Sequence, residues 1–125
     1  MQVESGKTPK TVLIIDDDAA IREVMQDVLE LQGYRILTAG DGKEGFNLLC
    51  DTQPRPSVIL LDMMMPGVNG WQFLDYQRSH PDLSQVPVII CSAYRESAKA
   101  VKPAAVIEKP IQLNKLLEAV KAFCA

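Results

Sequence analysis

Val12-Leu13-Ile14-Ile15-Asp16-Asp17-Asp18 is the stretch whose reading decides the fold. Four apolar residues in a row, three of them β-branched, run straight into three carboxylates. A run this short and this uniformly apolar predicts a strand covered on both faces. Four further runs follow. Arg35-Ile36-Leu37-Thr38-Ala39 is the second, and it alone ends without an obvious functional group. Val58-Ile59-Leu60-Leu61 leads into Asp62, Val88-Ile89-Ile90-Cys91 into Ser92, and Ala104-Ala105-Val106-Ile107 into Glu108, Lys109 and Pro110. If the runs are parallel strands, their carboxyl ends share one edge of the sheet, the edge where open α/β folds bind ligands.

The intervening segments carry a helical period. Ile21, Val24, Met25, Val28 and Leu31 recur at three- and four-residue steps, with Asp18 placed to cap that helix and Gly33 following its end. Gly42 to Cys50, with Phe46, Leu48 and Leu49, forms a shorter helix, which Pro54 and Pro56 separate from the next strand. Asn69 and Gln72 have capping-box spacing ahead of Trp71, Phe73, Leu74 and Tyr76, three rings of which look like packing on the sheet with one left for a partner. That helix stops near His80-Pro81, and Gln112 to Phe123 closes the chain with Leu113, Leu116, Leu117, Val120 and Phe123 on one stripe. Between Tyr94 and Pro103 only Arg95 to Val101 could be helical, about two turns at 1.5 Å per residue. The order β-α-β-α-β-α-β-(weak)-β-α predicts an α/β fold, a parallel sheet with helices on both faces and right-handed crossovers.

The 125 residues suit one domain, with 1–9 as a flexible lead-in and 10–125 as the folded unit. An apolar content of 47% is enough for a core, and the net charge of −3 weighs against direct nucleic-acid binding. No apolar stretch reaches membrane-spanning length, so no membrane insertion is expected. Cys50, Cys91 and Cys124 have neither zinc nor disulfide spacing and read as buried or half-buried thiols of a cytoplasmic protein. His80, the single histidine, reads as a surface residue, and Met63-Met64-Met65 as loop packing.

At the predicted sheet edge, Asp16, Asp17 and Asp62 would converge. Three anions resist ionisation unless compensated. An oxygen-only, incomplete ligand set suits Mg²⁺ or Mn²⁺. Lys109 adds a cation and Ser92 a hydroxyl, so a phosphoryl group on Asp62 would meet metal, hydroxyl and ammonium together.

At these residues the chain resembles the receiver domain of two-component response regulators, over about residues 11 to 124. The motifs are Ile15-Asp16-Asp17-Asp18, Leu61-Asp62-Met63-Met64-Met65-Pro66-Gly67-Val68-Asn69-Gly70, Cys91-Ser92-Ala93 and Glu108-Lys109-Pro110. The resemblance implies a doubly wound, flavodoxin-like sheet of order 2-1-3-4-5. It implies that Asp62 is the phosphoacceptor and that Asp17, Asp62 and the Met64 backbone carbonyl ligate Mg²⁺, with Asp16 acting through a water. Ser92 and Lys109 would hold phosphoryl oxygens, and Pro110 would follow a cis peptide. The implied partners are a sensor histidine kinase or histidine phosphotransfer protein and a downstream protein target, with homodimerisation left open. Such a domain catalyses only its own phosphorylation and dephosphorylation, and the chain reads as a stand-alone one.

Two departures stand out. Val106 occupies a position that is usually aromatic in the family, and Ser92 to Lys109 is several residues shorter than usual, which leaves the fourth helix short or irregular. Tyr94 and Met64, each two residues past a site residue, are expected to flank the phosphoryl group and slow its hydrolysis. The rival readings are a non-phosphorylated pseudo-receiver and a haloacid-dehalogenase-type phosphatase. The intact acidic pair, acceptor, Ser and Lys weigh against the first. Ala19-Ala20 after Asp16-x-Asp18, where that class has Gly-Thr, weighs against the second.

Overall fold

Every apolar run is a strand. The structure, a computed structural model, describes residues 9–124; the expected lead-in lies almost wholly outside the described residues. β1 (Thr11–Ile15), β2 (Arg35–Ala39), β3 (Val58–Asp62), β4 (Val88–Ser92) and β5 (Ala105–Glu108) alternate with α1 (Ala19–Leu31), α2 (Gly42–Asp51), α3 (Gly70–Arg78), α4 (Arg95–Ala100) and α5 (Leu113–Cys124). All four strand pairings are parallel and the order is β2-β1-β3-β4-β5. The last strand starts one residue later than its apolar run, at Ala105, and the Ala104 amide just ahead of it bonds the Val88 carbonyl at 2.9 Å.

The strands alternate between two separate cores. Leu13, Ile15, Ile59, Leu61 and Ile90 pack with Leu49, Phe73, Leu74 and Ala98 from α2, α3 and α4. Val12, Ile14, Leu60 and Ile89 pack with Met25, Leu29, Leu116 and Val120 from α1 and α5. A sheet covered on both faces has no solvent side, so its strands carry no polar alternation.

Local chemistry sets the helix ends. The Asp18 carboxylate accepts from the Ala20 and Ile21 amides, supplying the first turn of α1 with acceptors. Gly33, at φ +93°, closes α1 in a Schellman motif, with Gly33 N–H on Glu30 O and Tyr34 N–H on Leu29 O. Asn69 and Gln72 form the capping box, at 3.0 and 2.9 Å. The short α4 has no side-chain cap. Arg78 instead holds its C-terminal end through the Val101 carbonyl, and Lys102 turns the chain at φ +53°.

Four expectations are corrected. Met25 and Leu29 are the buried residues of α1, while Val24 is exposed and Leu31 is 84% exposed. The apolar arc of α1 is wider than the contact it makes. Of the three rings on α3 only Phe73 enters the core; Trp71 and Tyr76 are both exposed, although Tyr76 packs edge-on against Phe46 of α2 with centroids 5.8 Å apart. Cys50 is exposed, whereas Cys91 and Cys124 are buried. Met63 and Met65 pack inward as expected, but Met64 is 58% exposed.

Candidate functional site

The carboxyl ends of β1, β3, β4 and β5 bring the expected residues to one cleft. Asp62 and Ser92 are the last residues of β3 and β4, and Asp16 and Lys109 follow β1 and β5 directly. Register fixes their spacing: Ile15 pairs with Leu61, Asp62 with Cys91, and Ser92 with Glu108. The cleft, about 300 Å³, is lined by Asp16, Asp17, Asp18, Asp62, Met64, Ser92, Ala93, Tyr94 and Lys109.

Asp16 is 1% exposed and held from several sides. Its amide donates to Ala39 O at 3.1 Å, its Oδ1 accepts the Asp18 amide at 2.9 Å, and its Oδ2 meets Lys109 Nζ at 3.1 Å. Asp62, also buried, accepts the Met64 amide on Oδ1 at 3.2 Å, and the same oxygen lies 3.7 Å from Lys109 Nζ. Ser92 Oγ accepts the Tyr94 amide at 2.9 Å, which leaves its hydroxyl proton free to donate elsewhere. The Lys109 amide donates to Ser92 O at 2.9 Å, tying β5 to β4 at the site, and the Lys109–Pro110 peptide is cis. Asp17 is the exposed member of the acidic pair.

Carboxylate oxygens of Asp16, Asp17 and Asp62 lie within 4.8 Å of one another. Burial and the nearby Asp16 charge push Asp62 up to about 6, while the Met64 amide and Lys109 pull the other way. Burial alone would lower Lys109, but Asp16 and then Asp62 outweigh it and raise the ammonium above its ordinary value. One lysine therefore leaves the cluster short of positive charge. An oxygen-only donor set, open toward Asp17, suits a hard divalent cation that keeps part of its water shell. Cys91, one residue from Ser92, is pushed up to about 12 by burial and stays a thiol.

Met64 and Tyr94 stand at the rim. Tyr94 is 63% exposed yet lines the cleft, and with Met64, Trp71 and Ser97 it also lines a neighbouring groove of about 250 Å³. His80 is exposed at the far end of α3, outside the cleft. Sequence reasoning missed Arg22. Its Nη1 donates to the Asp16 carbonyl at 2.7 Å from one turn into α1. A solitary arginine on a helix carries no local signal of such a contact.

The family model for the response regulator receiver domain matches residues 12–121. Among curated relatives, the polar-differentiation response regulator DivK of Brucella anthropi is 28% identical over 120 residues, covering 92% of this chain and 96% of its own. The probable transcriptional regulator ycf27 of Guillardia theta is 37% identical over 95 residues, 76% of this chain but only 35% of its own. The phosphate regulon regulatory protein PhoB of Escherichia coli is 31% identical over 118 residues, 90% of this chain and 51% of its own. The chain thus spans about a third of ycf27, about half of PhoB and nearly all of DivK. Among solved structures, the chemotaxis response regulator CheY4 of Vibrio cholerae superposes with a TM-score of 0.83 at 26% identity, over 93% of this chain and 99% of its own. A CheY-like receiver domain from Methanospirillum hungatei gives a TM-score of 0.80 at 27% identity, over 92% and 93%. With the sheet order, the cleft and the family match in agreement, the chain belongs to the response regulator receiver domain family.

Proposed function

We propose that Asp62 is the phosphoacceptor of a two-component or phosphorelay pathway and that its phosphorylation depends on a divalent metal. The observation that carries this reading is the convergence, in one cleft, of three carboxylates within 4.8 Å, a lysine shared between Asp16 and Asp62, and a serine hydroxyl with its proton free. An Asp62 carboxylate oxygen attacks phosphorus. The new O–P bond replaces the N–P bond of a phosphohistidine donor, and the imidazole leaves. Lys109 and the Ser92 hydroxyl are placed to neutralise and orient the transferred oxygens, the kind of help that phosphoryl transfer needs most. Asp17 and Asp62, with the Met64 carbonyl, would hold Mg²⁺ or Mn²⁺, and Asp16 would act through a water. When bound, the metal supplies charge neutralisation for carboxylates and phosphoryl oxygens. Beyond these self-directed steps the chain is a signalling module rather than an enzyme, and the reading places it in the cytoplasm.

The phosphodonor, a sensor kinase or histidine phosphotransfer protein, needs a surface beside the acceptor. Between α1 and the start of α5 runs an apolar groove of about 310 Å³, lined by Ala20, Ile21, Val24, Met25, Ile111 and Leu113 and ending at Lys109 and Pro110. A helical donor seated there would bring its histidine over the Lys109 edge of the cleft. The exposed Val24 and Leu113 would gain the burial that the isolated domain denies them.

Intact mass after incubation with acetyl phosphate tests the acceptor reading. Wild type with Mg²⁺ is expected to gain one base- and hydroxylamine-labile phosphate, which EDTA prevents and Asp62→Asn abolishes. No adduct under any metal condition would favour the pseudo-receiver.

A further inference from the structure

We propose that Arg22 is the positioning residue of the metal site, setting the orientation of Asp17 without touching the ion. The inference rests on the metal-binding reading of the acidic cluster. Between the end of β1 at Ile15 and the start of α1 at Ala19, only Asp16, Asp17 and Asp18 turn the chain. Asp17, the exposed member of the pair, takes its direction from the two peptide planes that flank it. The Asp16–Asp17 plane is held by its carbonyl, which accepts from Arg22 Nη1 at 2.7 Å. The Asp17–Asp18 plane is held by its N–H, which donates to Asp16 Oδ1 at 2.9 Å. Each side of Asp17 thus has one fixing bond.

The Asp16 carbonyl lies past the end of the β1 ladder, and the guanidinium satisfies it with a short, charge-assisted bond. The guanidinium ends close to Gly40, the residue that follows β2. A Cβ on Gly40 would lie 3.4 Å from Arg22 Nη1 and 3.8 Å from Glu44 Oε1, and that Glu44 oxygen accepts the Gly40 amide at 2.8 Å. Arg22 therefore reaches from α1 across the turn it steadies and ends beside the residue that follows β2. Groups that orient a metal ligand from outside the ligand set typically contribute 10- to 100-fold to affinity.

The test uses Mn²⁺ as the probe, with free ion counted by electron paramagnetic resonance and Mg²⁺ added as competitor. Arg22→Ala is expected to weaken Mn²⁺ binding by roughly 10- to 100-fold at a temperature well below its unfolding transition. Arg22→Lys, which keeps a cation and a donor, is expected to fall between the two. An arginine that only stabilised the fold would lower the transition temperature in EDTA and leave the affinity at wild-type level, and that result would overturn the proposal. If Arg22→Ala does not fold, Arg22→Lys carries the same decision: wild-type affinity overturns the proposal, a clear loss supports it. Asp17→Asn separates the two layers. Should it bind Mn²⁺ as tightly as wild type, the metal site itself is misread. Should it lose binding while both Arg22 variants keep theirs, only the positioning role fails.

Discussion

Removing the Asp62 carboxylate is expected to stabilise the metal-free protein at neutral pH. The native cleft holds Asp62 up to about 6 against an ordinary 3.8, first through burial and then through the Asp16 charge. Between those values the native state binds more protons than the unfolded chain, so stability falls as pH rises. Below about pH 4 both states are protonated and the residue costs nothing; above about pH 6 the full penalty is present. About two pKa units at 1.36 kcal/mol each set a ceiling of roughly 3 kcal/mol. Asn at this position keeps an oxygen for the Met64 amide but deprives Lys109 of its 3.7 Å partner, while the 3.1 Å contact with Asp16 remains. A net gain of about 1–2 kcal/mol at pH 8 is left, roughly 4–8 °C in Tm for a domain of this size. Urea unfolding of wild type and Asp62→Asn in EDTA, at pH 4 and pH 8, measures it. Other titrating groups are common to both proteins and cancel in the difference. A variant that is no more stable at pH 8, or equally more stable at both pH values, would refute the reasoning. Millimolar Mg²⁺ should narrow the gap by stabilising wild type preferentially.

Three further outcomes are expected. Gly70→Ala places a Cβ 2.6 Å from Met63 Cα and 3.0 Å from the Asp62 carbonyl, so the chain behind the acceptor must shift; thermal unfolding should show a loss of about 1–3 kcal/mol. Tyr94→Ala opens the rim of the cleft and should shorten the lifetime of the phosphorylated protein several-fold, read by loss of label; an unchanged rate would remove Tyr94 from the account. Val24→Glu with Leu113→Glu should impair transfer from a phosphohistidine protein while leaving acetyl phosphate labelling intact, and equal loss with both donors would contradict the groove's role.

Much of this was legible in the chain for physical reasons. Strands buried on two faces must be apolar throughout, so the run Val12 to Ile15 declares itself, and parallel strands force Asp16, Asp62, Ser92 and Lys109 to one edge. Asp18, Asn69 and Gln72 act within their own helix turns, so spacing alone reveals them. What escaped depends on distant contacts. The apolar positions of α1 span more than one face, and only packing against the sheet and α5 decides that Leu29 is buried and Leu31 is not. Adjacent aspartates look alike in sequence, yet Asp16 is enclosed by Lys109 and Ala39 while Asp17 faces solvent. The rings of Trp71 and Tyr76 gave no sign that both would be exposed, nor did Arg22 show that it reaches back to the Asp16 carbonyl.

The central claim is that Asp62 carries the phosphoryl group. Phosphorylation with acetyl phosphate and Mg²⁺, reduction with borohydride and peptide mapping test it directly, because reduction of an acyl phosphate leaves homoserine at the modified position. Homoserine at position 62 alone, dependent on Mg²⁺, is the predicted result. Homoserine at position 16, 17 or 18, or at none, would contradict the account.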